Sequence, residues 1–327
     1  MKIGIDAMGG DYAPSEAVKG AFIASSLMPL IELVLFGSLQ DITAICEQES
    51  IGLDLFTIVD TTDVIEMSDH PVKALLSKPN SSISQGFSYL AQGKIDAFLS
   101  AGNTGAMLVG SIQYLKLVDG LDRPCLTSVI PRIQGNPGLL LDVGANADCK
   151  PEHLEKFSLL GNLLYSMMYK VDSPKIGLLN IGEECEKGNL LSKSTHQLLV
   201  QTQGIHFVGN IEGRDIFSDK ADVVVCDGFS GNLIIKVCEG LYYNLVRRGI
   251  HDEYLEKFNF KHYGGSLILG VNAPVIVGHG ITKDKTFVKM IEFACETVKS
   301  QLMGKIQKSM ARFIASQSDT LNSIHEN

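Results

Sequence analysis

Short, continuously apolar runs alternate with helix-period segments along almost the whole chain, and this alternation limits the fold more than any other feature. Runs at 31–36, 126–130, 138–143, 175–181 and 221–226 show no polar face, so such strands need cover on both sides. Helices are predicted at 15–27, 39–49, 150–169, 190–202 and 233–248, and a basic one at 283–313. The pattern predicts an α/β fold: a mostly parallel sheet with helices on both faces, a three-layer sandwich. We read 1–315 as one such domain, leaving open a division into two lobes, and 316–327 as a polar tail that frays.

Composition narrows the function. Apolar residues make up 45% of the 327 and charged residues 20%, as in a globular protein with a large core. No apolar run approaches the roughly 20 residues that span a bilayer, and the N-terminus has no signal-peptide form. The seven cysteines show no Cys-x-x-Cys pair, which fits a reducing cytoplasm better than a zinc ribbon or disulfide scaffold. Cys226, Cys238 and Cys295 read as small core residues. A net charge of −9 argues against a nucleic-acid partner. Residues 283–312 nevertheless carry seven basic against three acidic side chains, a face suited either to an acidic partner or lipid headgroups, or simply to solvent.

Chemistry is expected beyond the carboxyl ends of the strands. Five polar turns are placed there: 100–105, 142–146, 180–189, 209–215 and 227–232. Each is also an ordinary composition for a turn, but five together predict a shared rim. In the first, Ser100-Ala101-Gly102-Asn103-Thr104-Gly105-Ala106, a strand passes through a small-residue turn into a helix whose free N–H groups suit an anion. The chain lacks a Gly-x-Ser-x-Gly elbow, a phosphate-loop lysine motif, and a Gly-x-Gly-x-x-Gly fingerprint after the first strand; its histidines are dispersed. The remaining uncharged donors, glycines, lysines and carboxylates can hold an anion and stabilise charge. No metal or cofactor set is expected.

The ordered motifs resemble the phosphate acyltransferase family of bacterial phospholipid synthesis (PlsX). They are Asp6-Ala7-Met8-Gly9-Gly10-Asp11, Ser100 to Ala106, Leu141 to Asn146 with Asp148-Cys149-Lys150-Pro151-Glu152, Leu179 to Glu184, Lys187-Gly188-Asn189, Gly209-Asn210 with Glu212-Gly213-Arg214, Asp227 to Asn232, Tyr263-Gly264-Gly265, and His279-Gly280. The resemblance implies acyl transfer from acyl-[acyl carrier protein] to inorganic phosphate, giving acyl phosphate. It also implies a homodimer with a fold similar to phosphotransacetylases, lying peripherally on the cytoplasmic face of the membrane alongside a downstream acyltransferase. Two positions depart from the family pattern: Tyr12 stands where His is expected, and Gly278 where Ala is expected.

The residues accord with that reaction. Phosphate needs little deprotonation; it must be held against a thioester carbonyl and the oxyanion stabilised. Lys187, Asn232 and Asp227 are the expected catalytic set. Expected substrate contacts are Asn103, Thr104, Gly105, Asp142, Asn146, Asn180, Gly182, Lys193, Asn210, Gly228, Gly231, Lys236, Gly264, Gly265 and His279. Blander roles stay open for some: solvated charges for the lysines, caps for the aspartates, a core histidine for His279. On the helix after Asn232, residues Leu241, Tyr242, Leu245 and Val246, with Arg247-Arg248, form either a lipid-facing tip or a packing face. Three alternatives remain: a phosphotransacetylase using acyl-coenzyme A, a non-catalytic membrane-associated anion-binding scaffold, and an isocitrate-dehydrogenase-like oxidoreductase.

Overall fold

The computed structural model describes residues 1–259 and 263–325, with side chains described to residue 316. The chain divides into two compact units, 1–116 with 260–300 and 117–259 with 301–327. The first opens with β1 (Lys2–Asp6), α1 (Ser15–Leu27), β2 (Glu32–Gly37), α2 (Leu39–Glu49), β3 (Phe56–Asp60), α3 (Pro71–Ser77), α4 (Ser82–Ala91), β4 (Ala97–Ser100) and α5 (Thr104–Gly110). The second holds β5 (Cys125–Ile130), β6 (Gly138–Leu141), α6 (Pro151–Tyr169), β7 (Lys175–Asn180), α7 (Leu190–Gln201), β8 (His206–Glu212), β9 (Val223–Val225), α8 (Gly228–Arg247) and α9 (Glu253–Glu256). The chain returns to the first unit for β10 (Ser266–Leu269), β11 (Val275–Val277) and α10 (Asp284–Lys299), and ends in the second with α11 (Leu302–His325).

In the first unit the strand order is β3-β2-β1-β4-β11-β10, parallel throughout except that β10 runs against β11. In the second it is β5-β6-β9-β7-β8, with β5 and β6 antiparallel and the rest parallel. The mostly parallel α/β architecture is therefore the one expected. The antiparallel β10 was not anticipated: it is four residues long and follows a double glycine.

Each sheet has a switch point, where successive strands lie on opposite sides of an earlier one and a crevice opens at the carboxyl ends. In the first unit β2 and β4 flank β1, so the carboxyl ends of β1 and β4 meet at Asp6 and Ser100. In the second, β8 and β9 flank β7, so Asn180 and Cys226-Asp227 meet. Both cores are apolar. Phe98 sits edge-on between Phe36 and Phe87 in the first unit, and Ile130, Leu140, Ile211, Val224 and Cys226 cluster in the second. Cys226, Cys238 and Cys295 are buried, as expected.

Several boundaries differ from the sequence reading, for local reasons. Asn103 accepts the Ala106 N–H, so α5 starts at Thr104 and not at Met107. Asp227 accepts the Ser230 N–H at 2.7 Å, so 228–232 are the first turns of α8 and not a loop. Residues 209–212 belong to β8 and not to a strand-end turn. The single basic helix is broken at Gln301, which has a positive φ of 54°, giving α10 and α11. Helix α11 continues to His325, so 316–325 are helical where fraying was expected; 326–327 lie outside the described residues.

Candidate active site

The expected site residues divide between the units. In the first, Asp6 is buried and accepts the Met8 N–H at 3.0 Å and the Ser100 hydroxyl at 2.5 Å; Ser100 Oγ in turn accepts the Gly102 N–H at 2.9 Å. Burial pushes the Asp6 carboxyl up from the ordinary aspartate value, opposed by the hydrogen bonds it accepts from Ser100 and Met8. Asn103 is buried and fully committed. Its Oδ1 caps α5, and its Nδ2 donates to the carbonyls of Glu66, Met67 and Asp69 at 3.0–3.3 Å. The expectation that its side chain binds substrate is thereby corrected: the amide ties down the 66–69 loop. Thr104 is exposed at the helix start, and Gly105 packs beside Pro71. Gly264 and Gly265 lie before β10, close to the backbones of Lys289 and Val277. His279 is exposed, not a core histidine. Tyr12 is also exposed, and the Lys283 amine lies 5.3 Å from its ring centre.

The second unit is built on Asp142, fully buried at the end of β6. Its carboxylate accepts the N–H groups of Leu126, Gly144, Ala145 and Asn146 at 2.7–3.2 Å, and the Asn146 side-chain amide at 2.8 Å. Burial raises its pKa, opposed by these bonds, which favour the anion. The other Asn146 amide bond goes to the Pro124 carbonyl, so Asp142 and Asn146 organise the turn and do not project donors from it. Helix α8 begins directly against this turn. A Cβ at Gly231 would collide with the Asp142 carbonyl oxygen, and the Gly228 N–H donates to Asn146 O at 2.7 Å. Only glycine permits that approach.

Around this frame lies a cleft of about 680 Å³ at the switch point. Leu154, Leu178 and Cys226 line it as buried apolar groups; Asn180, Asn189, Ser192, Glu212, Arg214, Asp227 and Ser230 supply its polar lining. The N-termini of α7 and α8 both reach it, bringing two partial positive ends to one place. A smaller pocket of about 290 Å³ takes in Gly144, Gly228, Asn232 and Lys236.

Lys187 is exposed at the end of the 181–187 turn, and its amine has no ion pair among the described residues. Lys193 is likewise exposed on α7. Lys236 instead pairs with Glu239 at 2.7 Å. Asn232 is exposed, its amide making a 3.3 Å bond to Val143 O. Asp227 is committed to capping α8 through Ser230 N and Oγ. Asn180 donates to the Lys187 carbonyl and accepts Ile181 N–H, with Gly182 buried against the Lys187 side chain. Asn210 is buried and committed: it donates to Glu184 O at 2.8 Å and its Oδ1 meets His196 Nδ1 at 2.9 Å. The expected substrate contact through the Asn210 amide is corrected for that reason. His196 itself was not singled out from the sequence, where a lone histidine in a helix carries no signal.

Two other groups of reactive side chains are quiet. Glu183, Glu212 and Asp215 cluster, but Lys220 bonds Glu183 and Asp215 at 2.6 and 2.7 Å and Arg214 pairs with Glu212. Burial, together with Asp142 and Asp227, pushes the Cys149 thiol up to about 12, which leaves it protonated and unreactive. On α8, Leu241 is exposed and Leu245 and Val246 are half-buried. Tyr242 is corrected: it is buried and hydrogen-bonds Glu256 at 3.1 Å.

Comparison with known proteins follows the same lines. The family model for a fatty acid synthesis protein (FA_synthesis) matches residues 1–305. A phosphate acyltransferase of Thermoanaerobacterium thermosaccharolyticum is 40% identical over 95% of this chain and 97% of its own length. One from Dictyoglomus thermophilum is 38% identical over 95% and 98%. Among solved structures, a phosphotransacetylase from Streptococcus pyogenes superposes with a TM-score of 0.65 at 16% identity, covering 93% of this chain and 94% of that one. The EutD phosphotransacetylase from Staphylococcus aureus gives 0.62 at 13%, covering 91% and 94%. At such identities the two structures speak for the fold alone.

Proposed function

The chain belongs to the fatty acid synthesis protein family and is a phosphate acyltransferase enzyme, and from that premise we propose that it transfers a fatty acyl group from acyl-[acyl carrier protein] to inorganic phosphate. A phosphate oxygen attacks the thioester carbonyl carbon and the carbon–sulfur bond breaks. The products are acyl phosphate for glycerophospholipid synthesis and the carrier thiol, whose sulfur takes up the proton. The thiolate is a good leaving group, so the enzyme's task is to position the dianion and stabilise the oxyanion. The observation that carries the reading is Lys187: an exposed cation with no ion pair among the described residues, on a turn that leads directly into the cleft-lining Gly188 and Asn189. Asn232 supplies a second, uncharged donor, and Lys193 adds positive potential. The N-termini of α7 and α8 support charge in the same cleft.

Peripheral membrane attachment and a homodimer are part of the same reading. Phe229, Leu233, Val237 and Leu241 recur every fourth residue on α8 and are all more than half exposed, an apolar stripe suited to a lipid interface. Among the described residues no helix is long and apolar enough to cross a membrane. The test is an assay of acyl phosphate formation with inorganic phosphate and two donors, acyl-[acyl carrier protein] and acyl-coenzyme A. Turnover with the carrier-protein donor is expected. Turnover with coenzyme A alone would make the protein a phosphotransacetylase, and binding without turnover would leave an anion-binding scaffold.

A further inference from the structure

We propose that His196 and Asn210 form a latch that holds the 183–187 turn, making His196 a positioning residue for Lys187. The inference rests on the reading of Lys187 given above. The hub is the Glu184 carbonyl. It accepts the Lys187 N–H at 3.1 Å, closing the turn, and the Asn210 amide at 2.8 Å, tying the turn to β8. A second Asn210 bond reaches Glu183 O at 3.5 Å.

The amide can face the turn only if its oxygen faces the other way, and there it meets His196 Nδ1 at 2.9 Å. Because Asn210 Nδ2 donates to the carbonyls, Oδ1 must accept, so Nδ1 of His196 carries the proton. His196 therefore sets which end of the amide points at the turn.

The backbone is shaped for this contact. His196 also packs edge-on against Phe207, with ring centres 5.2 Å apart. Phe207 and Asn210 are three residues apart, and in a regular strand they would point to opposite faces. The register of β8 on β7 jumps from Ile176↔Phe207 to Gly177↔Gly209, so one extra residue, Val208, enters the strand, and Gly209 takes a φ of 95°. That bulge turns Asn210 onto the face of Phe207, where both reach the same histidine.

Two substitutions separate a latch from ordinary packing. His196→Phe keeps a ring against Phe207 but loses the donor; His196→Asn loses the ring but places an amide N–H near the Nδ1 position. Two readouts apply: native-state tryptic cleavage after Lys187, and kcat against KM for phosphate. We expect His196→Phe to be cleaved faster and to lose kcat by roughly tenfold or more, in keeping with the sensitivity of rate to small misplacements. His196→Asn should recover most of both. In a Lys187→Ala background, adding His196→Phe should lower turnover no further. Unchanged cleavage and rate in His196→Phe, or rates in which Phe is the better replacement, overturn the latch. Full turnover in Lys187→Ala overturns the reading of the site and with it the latch's part in catalysis. The cleavage readout tells that failure from failure of the latch itself.

Discussion

Both units place a buried aspartate at the carboxyl end of a strand, Asp6 as the last residue of β1 and Asp142 just after β6, and the two do different work. Asp6 holds one N–H of its own loop directly, that of Met8, and reaches the loop after β4 through a relay, the Ser100 hydroxyl passing the bond on to the Gly102 N–H. Asp142 gathers four backbone N–H groups directly. Beside Asp6 the neighbouring amide, Asn103, closes on carbonyls and a helix N-terminus. Beyond Asp142 the frame is equally rigid, but Lys187, Lys193 and Asn232 face outward. A dense run of Gly, Asn and Ser at a strand end thus marks a stiff turn in either unit. In the second unit such turns border the cleft of about 680 Å³ and lead out to Lys187, and that combination is why the chemistry is assigned there.

The comparison is broken most forcefully at Asp142. Asp142→Ala strips the acceptor from three buried donors, the Leu126 and Asn146 N–H groups and the Asn146 side-chain amide, each costing about 1–3 kcal/mol when left unsatisfied, and from the part-buried N–H groups of Gly144 and Ala145, so a loss on the order of 5 kcal/mol is expected in urea unfolding. A loss near 1 kcal/mol would mean that water replaces the carboxylate and the frame is not built on it. Next comes the pair of exposed and buried amides. Asn103→Ala should cost roughly 2–4 kcal/mol through a lost cap and freed carbonyls. Asn232→Ala should change stability by less than about 1 kcal/mol while lowering acyl phosphate formation tenfold or more. Equal stability losses in the two variants would erase the distinction between the units.

A smaller effect comes from pH. The Asp6 carboxyl is raised in the folded state, so from the ordinary value of 3.8 up to its raised value the folded protein binds more protons than the unfolded one. Stability from this group therefore falls as pH rises through that window. Asp6→Asn cannot titrate, so the stability of wild type relative to the variant should decline as pH rises from 3.8 through the raised value of the folded state. A difference that stays level, or grows, speaks against a carboxyl raised by burial. The smallest expected effect lies on α8. Leu241→Ser should weaken flotation with anionic vesicles and spare stability, whereas Tyr242→Phe should lose its bond to Glu256, about 1 kcal/mol, and float normally.

The sheet was legible because strands covered on both faces cannot alternate in polarity, and β1, β2, β5, β6 and β7 all carry that mark. Helix starts were less legible, since a capping Asp or Asn looks like a loop residue: Asp227 and Asn103 both hid the first turn of a helix. The polar composition of 209–212 read as a turn because the bulge at Val208-Gly209 has no one-dimensional signature. In the candidate site, Asp142, Asn146, Asn180 and Asn210 were picked out for their polarity. Which polar groups bond inward and which face solvent depends on partners 20 to 30 residues away, such as Pro124 for Asn146 and Glu184 for Asn210. Lys187 kept its outward position, while Lys236 found Glu239 one helical turn away, a spacing the sequence contained.

The central claim is that an outward cation on the second unit's clamped turn helps phosphate attack. The direct measurement is acyl phosphate formation as a function of phosphate concentration in Lys187→Ala, with the unfolding midpoint measured on the same preparation. The account predicts kcat/KM for phosphate lower by roughly 10²-fold at an unmoved midpoint. A folded Lys187→Ala protein with the phosphate dependence of the wild type would contradict it.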